Sequence, residues 1–144
     1  NFLQLLKIVD KGIPLPFGRV KNQRSLMYVG NLIDAIIACM RHPNADSQTY
    51  LISDGEASST PELIQSIASA LGRPSRVFPF PLKLLRLTAS MTGKSRSVNR
   101  LLDSLTVDAA KFRSELDWTP RFTMAEGMKQ TAKWYRSGLS WTFC

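Results

Sequence analysis

The sequence predicts an α+β domain, a lobe that is rich in helices and carries short, scattered strands. Two observations support this class: stretches with helical apolar spacing recur along the chain, and the strand-like runs between them are only a few residues long. The composition is that of a folded protein, because 44% of the 144 residues are hydrophobic and 21% are charged. This length fits one domain, or one part of a larger protein.

The first elements are expected to be a helix, an extended segment, a strand and a second helix. Apolar spacing over 2–11, followed by a glycine, predicts the first helix. Two prolines in 13–18 exclude that segment from a sheet interior. A strand is expected over 24–29. Asn31 should then cap a helix over 32–41, which is apolar nearly all round and should therefore be buried.

The middle of the chain alternates in the same way. A strand is expected over 48–53 and ends in an Asp-Gly turn. Thr60 is expected to cap a helix that has proline at its first position and ends at Gly72. A strand over 76–80 and a helix from Pro81 to about Thr92 should follow.

The last elements are three helices and one short strand. Helical spacing predicts a helix around 96–103, and an apolar run predicts a strand over 105–107. Asp108 is expected to cap a helix over 109–116. A Thr-Met-Ala-Glu capping box starts the final helix, 124–137.

The net charge of +8 is concentrated in one window of the sequence. Residues 73–101 contain seven lysines and arginines and no acidic residue, so this window carries +7 and the remaining residues only +1. Such a cluster indicates an anionic partner.

Several classes of site have no matching pattern in the sequence. There is no glycine-rich dinucleotide-binding loop, no Tyr-x-x-x-Lys acid–base pair and no zinc-ligand spacing. The single histidine, His42, is expected at a helix C-terminus, and Cys39 is expected to be a small buried residue. We expect no catalytic residue, no cofactor and no metal in this chain, no membrane span, and a cytoplasmic location.

The order of the motifs resembles the C-terminal region of extended short-chain dehydrogenase/reductases that process nucleotide sugars. The matching pieces are Asn1-Phe2 before a helix that ends at Gly12, Leu15-Pro16-Phe17-Gly18, the run from Arg24 to Ala35, Val107-Asp108-Ala-Ala-Lys111, Glu115-Leu-Asp-Trp-Thr-Pro120, and a final helix that ends in Trp134-Tyr135. One departure is Gly30, where the family usually has an acid.

The resemblance implies an activity for a longer protein. The family places NAD or NADP and the catalytic pair in an N-terminal Rossmann domain, which would be absent from residues 1–144, and binds a UDP-sugar partly through the C-terminal region. It implies 4-epimerisation of a UDP-sugar by a homodimer, or alternatively reduction of a 4-keto sugar or dehydration in polysaccharide biosynthesis. This chain alone would be inactive.

The resemblance also implies which residues bind the substrate. For most of them, a purely structural role is the alternative interpretation. Arg24 would contact the diphosphate, or else be a solvated charge at a strand edge. Leu15, Pro16 and Phe17 would line the base site, or else close the core beside the first helix. Asn1, with Phe2 beside it, would bind the diphosphate or the sugar.

Arg100 would be a second ligand of the diphosphate in the pattern Arg-Leu-Leu-Asp, with Arg96 as a competitor. A basic surface helix is the structural alternative for both. Trp118 and Pro120 match a family signature but are expected to act by packing.

Two functions of other classes stay open. The basic window could bind nucleic acid through phosphate neutralisation, although its only aromatic residues, Phe78 and Phe80, lie at one end and make a poor stacking platform. The same fold could also serve as an inactive scaffold for protein contacts. Nucleotide-sugar binding, without nucleic acid, is the interpretation that the motifs favour.

Overall fold

The computed structural model describes residues 2–91 and 95–138, except for the side chains of 88, 89 and 95–97. Within these residues the helices are α1 (Phe2–Asp10), α2 (Val29–Arg41), α3 (Thr60–Ala70), α4 (Leu82–Met91), α5 (Ser95–Leu102), α6 (Ala110–Leu116) and α7 (Met124–Arg136), with one 3₁₀ turn at Pro43–Ala45. The helix-rich α+β class predicted from the sequence is confirmed.

Strand structure is sparser than the sequence predicts. Strand β1 (Arg24–Ser25) pairs antiparallel with β2 (Ala57–Ser58), so that Arg24 lies opposite Ser58 and Ser25 opposite Ala57. The strand expected over 24–29 therefore ends early, and the one expected over 48–53 does not form.

Two other expected strands are reduced to single parallel bridges. The run 76–80 meets Leu15 only at Val77, and the run 105–107 meets Arg24 only at Leu105.

The main hydrophobic core lies among helices α1, α3 and α7. Its buried residues include Leu5, Leu6 and Val9 of α1, Leu63, Ile64, Ile67 and Ala68 of α3 with Leu71 after it, and Met128 and Ala132 of α7. These are the apolar stripes that the sequence predicts for the three helices, and they fix the helices against one another.

A second, smaller core surrounds the family signature near the chain's end. Phe112 is fully buried and its ring lies 5.1 Å from the Trp118 ring. The indole N–H of Trp118 donates to Oδ2 of Asp34 in α2 at 2.9 Å. Trp118 therefore acts by packing, as expected. Cys39 packs at the edge of this core but is only half-buried, so its expected burial is wrong.

Helix α2 starts earlier than predicted, at Val29, so Asn31 lies inside the helix rather than capping it. Asn31 is fully buried. Its Nδ2 donates to Oδ1 of Asp54 and to the Phe122 carbonyl, each at 2.8 Å, and its Oδ1 accepts from the Phe122 N–H at 2.9 Å. The side chain thus joins α2 to two distant loops, which is a stronger constraint than a cap would be.

The expectation that α2 is buried on all sides is wrong. Only Asn31 and Ala35 are buried in this helix. The apolar residues that remain exposed are Val29, Leu32, Ile33, Ile36, Ile37 and Met40. We call these six side chains the α2 face.

The capping boxes of α3 and α7 both form, and the one at α3 is shifted by one residue. The final capping box, Thr123 with Glu126, is present as predicted. For α3, however, the cap is Ser59, whose hydroxyl and backbone form the box with Glu62. Thr60 is instead fully buried, and its hydroxyl donates to the Leu101 carbonyl at 2.5 Å.

At α6, the N-cap position is Ala109 and not Asp108, because the helix begins at Ala110, one residue later than predicted. Asp108 lies one residue before the cap, where its Oδ1 accepts from the Ala110 N–H at 2.8 Å. The single histidine, His42, lies at the C-terminal end of α2 as expected, where its Nδ1 accepts from the Asn44 N–H at 3.3 Å.

Candidate functional site

The guanidinium of Arg24 lies at the C-terminal end of helix α5. Its Nη1 donates to the backbone carbonyl of Arg100, and to that of Asp103 at 3.3 Å. Carbonyl groups at the end of a helix carry the negative part of its dipole, so they attract a cation to this position. Arg24 itself is half-buried, because its strand lies between β2 and the Leu105 segment.

The buried side chains of Asn22 and Thr60 hold the turn that follows α5. Nδ2 of Asn22 donates to the carbonyls of Leu101 at 3.2 Å and Asp103 at 3.1 Å, while its Oδ1 accepts from the Thr60 N–H at 2.9 Å. Asn22 is only 4% exposed, so these bonds are shielded from water. Asn22 is a positioning residue that the sequence did not single out.

The backbone of Arg100 contacts Arg24 at this end of α5. The side chain of Arg100 is exposed and makes no hydrogen bond or ion pair with the described residues. Arg24 and Arg100 therefore lie at the same end of α5, where the guanidinium of Arg24 contacts the backbone of Arg100. The side chain of Arg96 lies outside the described residues.

A polar cavity of about 430 Å³ opens between α4 and α5 next to this turn. Its walls are formed by Arg86, Ser90, Asn99 and Asp103. Only Asp103 belonged to a predicted motif. Arg86 and Ser90 lie four residues apart on α4, and Asn99 and Asp103 lie four residues apart at the end of α5. Residues four apart share one face of a helix, so this spacing was a signal in the sequence for the cavity lining.

Leu15, Pro16 and Phe17 lie in a segment that is paired along its backbone and largely buried. The Leu15 N–H donates to the Arg76 carbonyl at 2.9 Å, and the Leu15 carbonyl accepts from Phe78 at 3.1 Å. Phe17 is 5% exposed and packs in the main core. In this structure its ring therefore closes the core, which is the structural alternative, and it offers no open face for stacking.

Phe2 lines a cavity to which neither Arg24 nor Arg100 contributes. It is half-exposed, and the apolar cavity of about 330 Å³ is also lined by Tyr28, Val29, Met124 and Thr131. Asn1, the residue before it, lies outside the described residues.

The described residues do not fit a dinucleotide cofactor or a metal. Their sheet has two antiparallel strands and no glycine-rich loop leading from a parallel strand into a helix. No group of three histidine, cysteine or carboxylate side chains in the described part of the chain could bind a metal ion. No helix in residues 2–91 and 95–138 is long and apolar enough to cross a bilayer.

Comparison with known proteins gives close relatives. No family model matches the chain. It is 43% identical to a UDP-glucose 4-epimerase of Vibrio cholerae over 92% of its own length. That match covers 41% of the relative, so the chain spans about two fifths of the protein that it resembles.

Solved structures show the same fold. The UDP-glucose 4-epimerase of Thermotoga maritima, solved with UDP-glucose, matches 95% of this chain and 39% of its own with a TM-score of 0.64 at 18% identity. The dTDP-glucose 4,6-dehydratase of Bacillus anthracis, solved with NAD, matches 94% of this chain and 38% of its own with a TM-score of 0.62, also at 18% identity.

The matches confirm the resemblance and locate it. The helix-rich fold corresponds to the C-terminal portion of Rossmann-type epimerases and dehydratases. The chain is thus a homologue of the nucleotide-sugar epimerases and dehydratases of the extended short-chain dehydrogenase/reductase family, over about two fifths of their length.

Proposed function

We propose that this chain is the nucleotide-sugar-binding part of an NAD(P)-dependent UDP-sugar 4-epimerase, and that Arg24 and Arg100 hold the diphosphate. The observation that carries the proposal is the meeting of these two residues at the end of α5, with Arg24 fixed by the carbonyls of Arg100 and Asp103. The 43% identity to a UDP-glucose 4-epimerase supports the choice of substrate class.

The geometry suits a diphosphate because Arg24 keeps free donors. Only its Nη1 is hydrogen-bonded among the described residues, which leaves Nε and Nη2 for phosphate oxygens. A guanidinium can bind two oxygens of one phosphate at once. Arg100, exposed and unpaired, adds a second cation, so that the two charges of a diphosphate can be matched.

The backbone at Pro16 and Phe17 leaves a hydrogen-bonding group for a pyrimidine. The Phe17 N–H and the Pro16 carbonyl have no hydrogen bond with the described residues, whereas their neighbours at Leu15 and Gly18 are paired with 76–78. These two groups belong to one trans peptide and point in opposite directions, so uracil would engage one of them, through its own carbonyl or its own N–H. The base would therefore be recognised by a main-chain atom and not by the Phe17 ring.

The cofactor and the acid–base residues would lie in a further part of the polypeptide, a Rossmann domain. There a nicotinamide would exchange hydride with C4 of the sugar, and this chain would orient the sugar by anchoring its diphosphate. The α2 face supports such a neighbour, because six exposed apolar side chains on one helix favour a covering partner.

A dehydratase or a reductase is the second candidate. The similar TM-score to a dTDP-glucose 4,6-dehydratase favours it, since the same diphosphate site would serve either reaction. The product formed from a UDP-hexose by the full-length protein separates the two: a C4 epimer supports the first candidate, and a 4-keto-6-deoxy sugar supports the second.

The diphosphate site is tested by calorimetric titration of the full-length protein with UDP. Arg24→Ala and Arg100→Ala should each weaken binding about ten- to a hundredfold, the equivalent of about 1.5–3 kcal/mol for a charged hydrogen bond. Arg41→Ala, at the exposed end of α2, is the matched control and should leave the affinity unchanged.

Arg24 also supports the turn after α5, so thermal unfolding of each variant should be measured beside the titration. The side chain of Arg100 makes no such contact with the residues that the structure describes, so its variant is the cleaner test. If Arg100→Ala and Arg24→Ala both bind UDP as tightly as the unaltered protein does, the proposed site is wrong.

A further inference from the structure

Helix α4 turns apolar side chains in two opposite directions. Leu85 is 7% exposed and belongs to the main core. On the other side of the helix, Leu87 is 57% exposed and Met91 is 80% exposed. A surface helix normally has one apolar side that faces the core and one polar side that faces water. Exposed apolar side chains on the second side of α4 therefore indicate a binding surface.

Cations flank these exposed apolar side chains. Lys83 and Arg86 are exposed on the same helix, and neither forms an ion pair with the described residues. The sequence between residues 73 and 101 contains no acid that could neutralise them. One carboxylate, that of Asp103, lines the polar cavity together with Arg86.

Charge distinguishes α4 from the other exposed apolar helix. Of the cations before α4, Arg73 pairs with Asp10 at 3.3 Å, whereas Arg76 donates to the Gly12 carbonyl and forms no ion pair within the part of the chain that the structure describes. The α2 face, by contrast, has Asp34 beside it and one arginine at its end. The α2 face, with little charge around it, suits a protein neighbour. The outer side of α4, whose apolar side chains lie among cations, suits a surface that is anionic outside and apolar inside.

We propose that the outer side of α4 binds the surface of an anionic lipid bilayer. The helix would lie in the plane of the surface, with Leu87 and Met91 inserted between lipid headgroups and with Lys83 and Arg86 beside the lipid phosphates. Its ten residues extend about 15 Å, which is enough to lie on a membrane but not to cross one. This proposal does not depend on the UDP-sugar site.

The test is co-sedimentation of the full-length protein with vesicles of phosphatidylcholine, with and without phosphatidylglycerol. Binding is expected to the vesicles that contain phosphatidylglycerol, and it should weaken as salt is raised. Lys83→Gln/Arg86→Gln should weaken it about 25-fold, at about fivefold per cation. Leu87→Ser/Met91→Ser should weaken it about a hundredfold, at about tenfold for each apolar side chain lost from the bilayer.

A matched control uses exposed apolar residues outside α2 and α4. Leu51→Ser/Leu105→Ser removes two side chains that are 63% and 62% exposed and should leave vesicle binding unchanged. Circular dichroism of every variant verifies that the helices are retained. No binding to the anionic vesicles, or an equal loss in this control, overturns the proposal.

A nucleic-acid surface would give a different pattern. Duplex DNA titrated over the same salt range would then bind, and its affinity would fall in Lys83→Gln/Arg86→Gln but not in Leu87→Ser/Met91→Ser. That pattern, with vesicle binding absent, would assign the basic helix to nucleic acid and refute the assignment to lipid.

Discussion

Replacement of Asn31 by alanine should be among the most damaging single changes away from the hydrophobic cores. The side chain is fully buried and makes three hydrogen bonds of 2.8–2.9 Å, to Asp54 and to both backbone groups of Phe122. At about 1 kcal/mol each, these bonds contribute about 3 kcal/mol. Alanine is the better helix former by about 0.5 kcal/mol, so the net loss should be about 2.5 kcal/mol.

Urea unfolding followed by circular dichroism measures this loss. With a slope of about 2 kcal/mol per molar urea, the midpoint should fall by about 1.2 M. Asn31→Leu keeps the size and branching of the side chain but has neither donor nor acceptor, so a comparable fall would attribute the effect to hydrogen bonding and not to packing.

The exposed Asn44 provides the control for this substitution. Its side chain makes one long hydrogen bond, at 3.4 Å to the Glu115 carbonyl, so Asn44→Ala should change stability by less than about 0.5 kcal/mol. A midpoint shift below about 0.3 M in Asn31→Ala would contradict the reasoning that this buried amide joins three segments.

Three further predictions concern packing and pH. Gly127→Ala should lower the melting temperature although alanine favours helices, because the new methyl group would lie 2.9 Å from Cγ of Tyr28 and such overpacking costs about 1–3 kcal/mol. Backbone and side-chain hydrogen bonds from Ser59 hold the pKa of Glu62 below its usual 4.5, so stability present above pH 4.5 should be lost as the pH falls. Acid titration of Glu62→Gln should show a smaller loss than the unaltered chain does. Burial, together with a hydrogen bond to a carboxylate, raises the pKa of Tyr50 to about 12, so its contribution to stability should be lost between pH 10 and about 12. Tyr50→Phe should lack that change in alkaline unfolding curves.

Local signals in the sequence were sufficient for most helices. Helices α1, α3 and α7 form where the apolar spacing predicts them, and the box of Thr123 with Glu126 is present at the start of α7. These features depend on residues within four positions of each other, so no distant contact is needed to form them.

The start of α2 shows what local signals lack. Asn31 is a good cap by residue type, but its hydrogen-bond partners lie 23 and 91 positions away in sequence. Those partners satisfy the amide inside the helix, so the helix can begin earlier, at Val29. The missing strand over 48–53 has the same kind of cause, because strand formation requires a partner that the segment alone does not specify.

The site was predictable in part. Arg24 and Arg100 are 76 positions apart, and the resemblance to a family, not any local spacing, placed them together. Asn22 could not be predicted as their support, since its role depends on the fold of α3 and α5 around it. The burial of Phe17 depends likewise on the way in which 15–18 pairs with 76–78.

The contact between Arg24 and the end of α5 has a consequence for sequence variation. The main-chain oxygens of residues 100 and 103 orient this guanidinium, and every residue type supplies such an oxygen. The side chains at these two positions can therefore change without displacing it. Homologues could then alter the lining of the neighbouring cavity, and with it the group that they select, while the cation stays where it is.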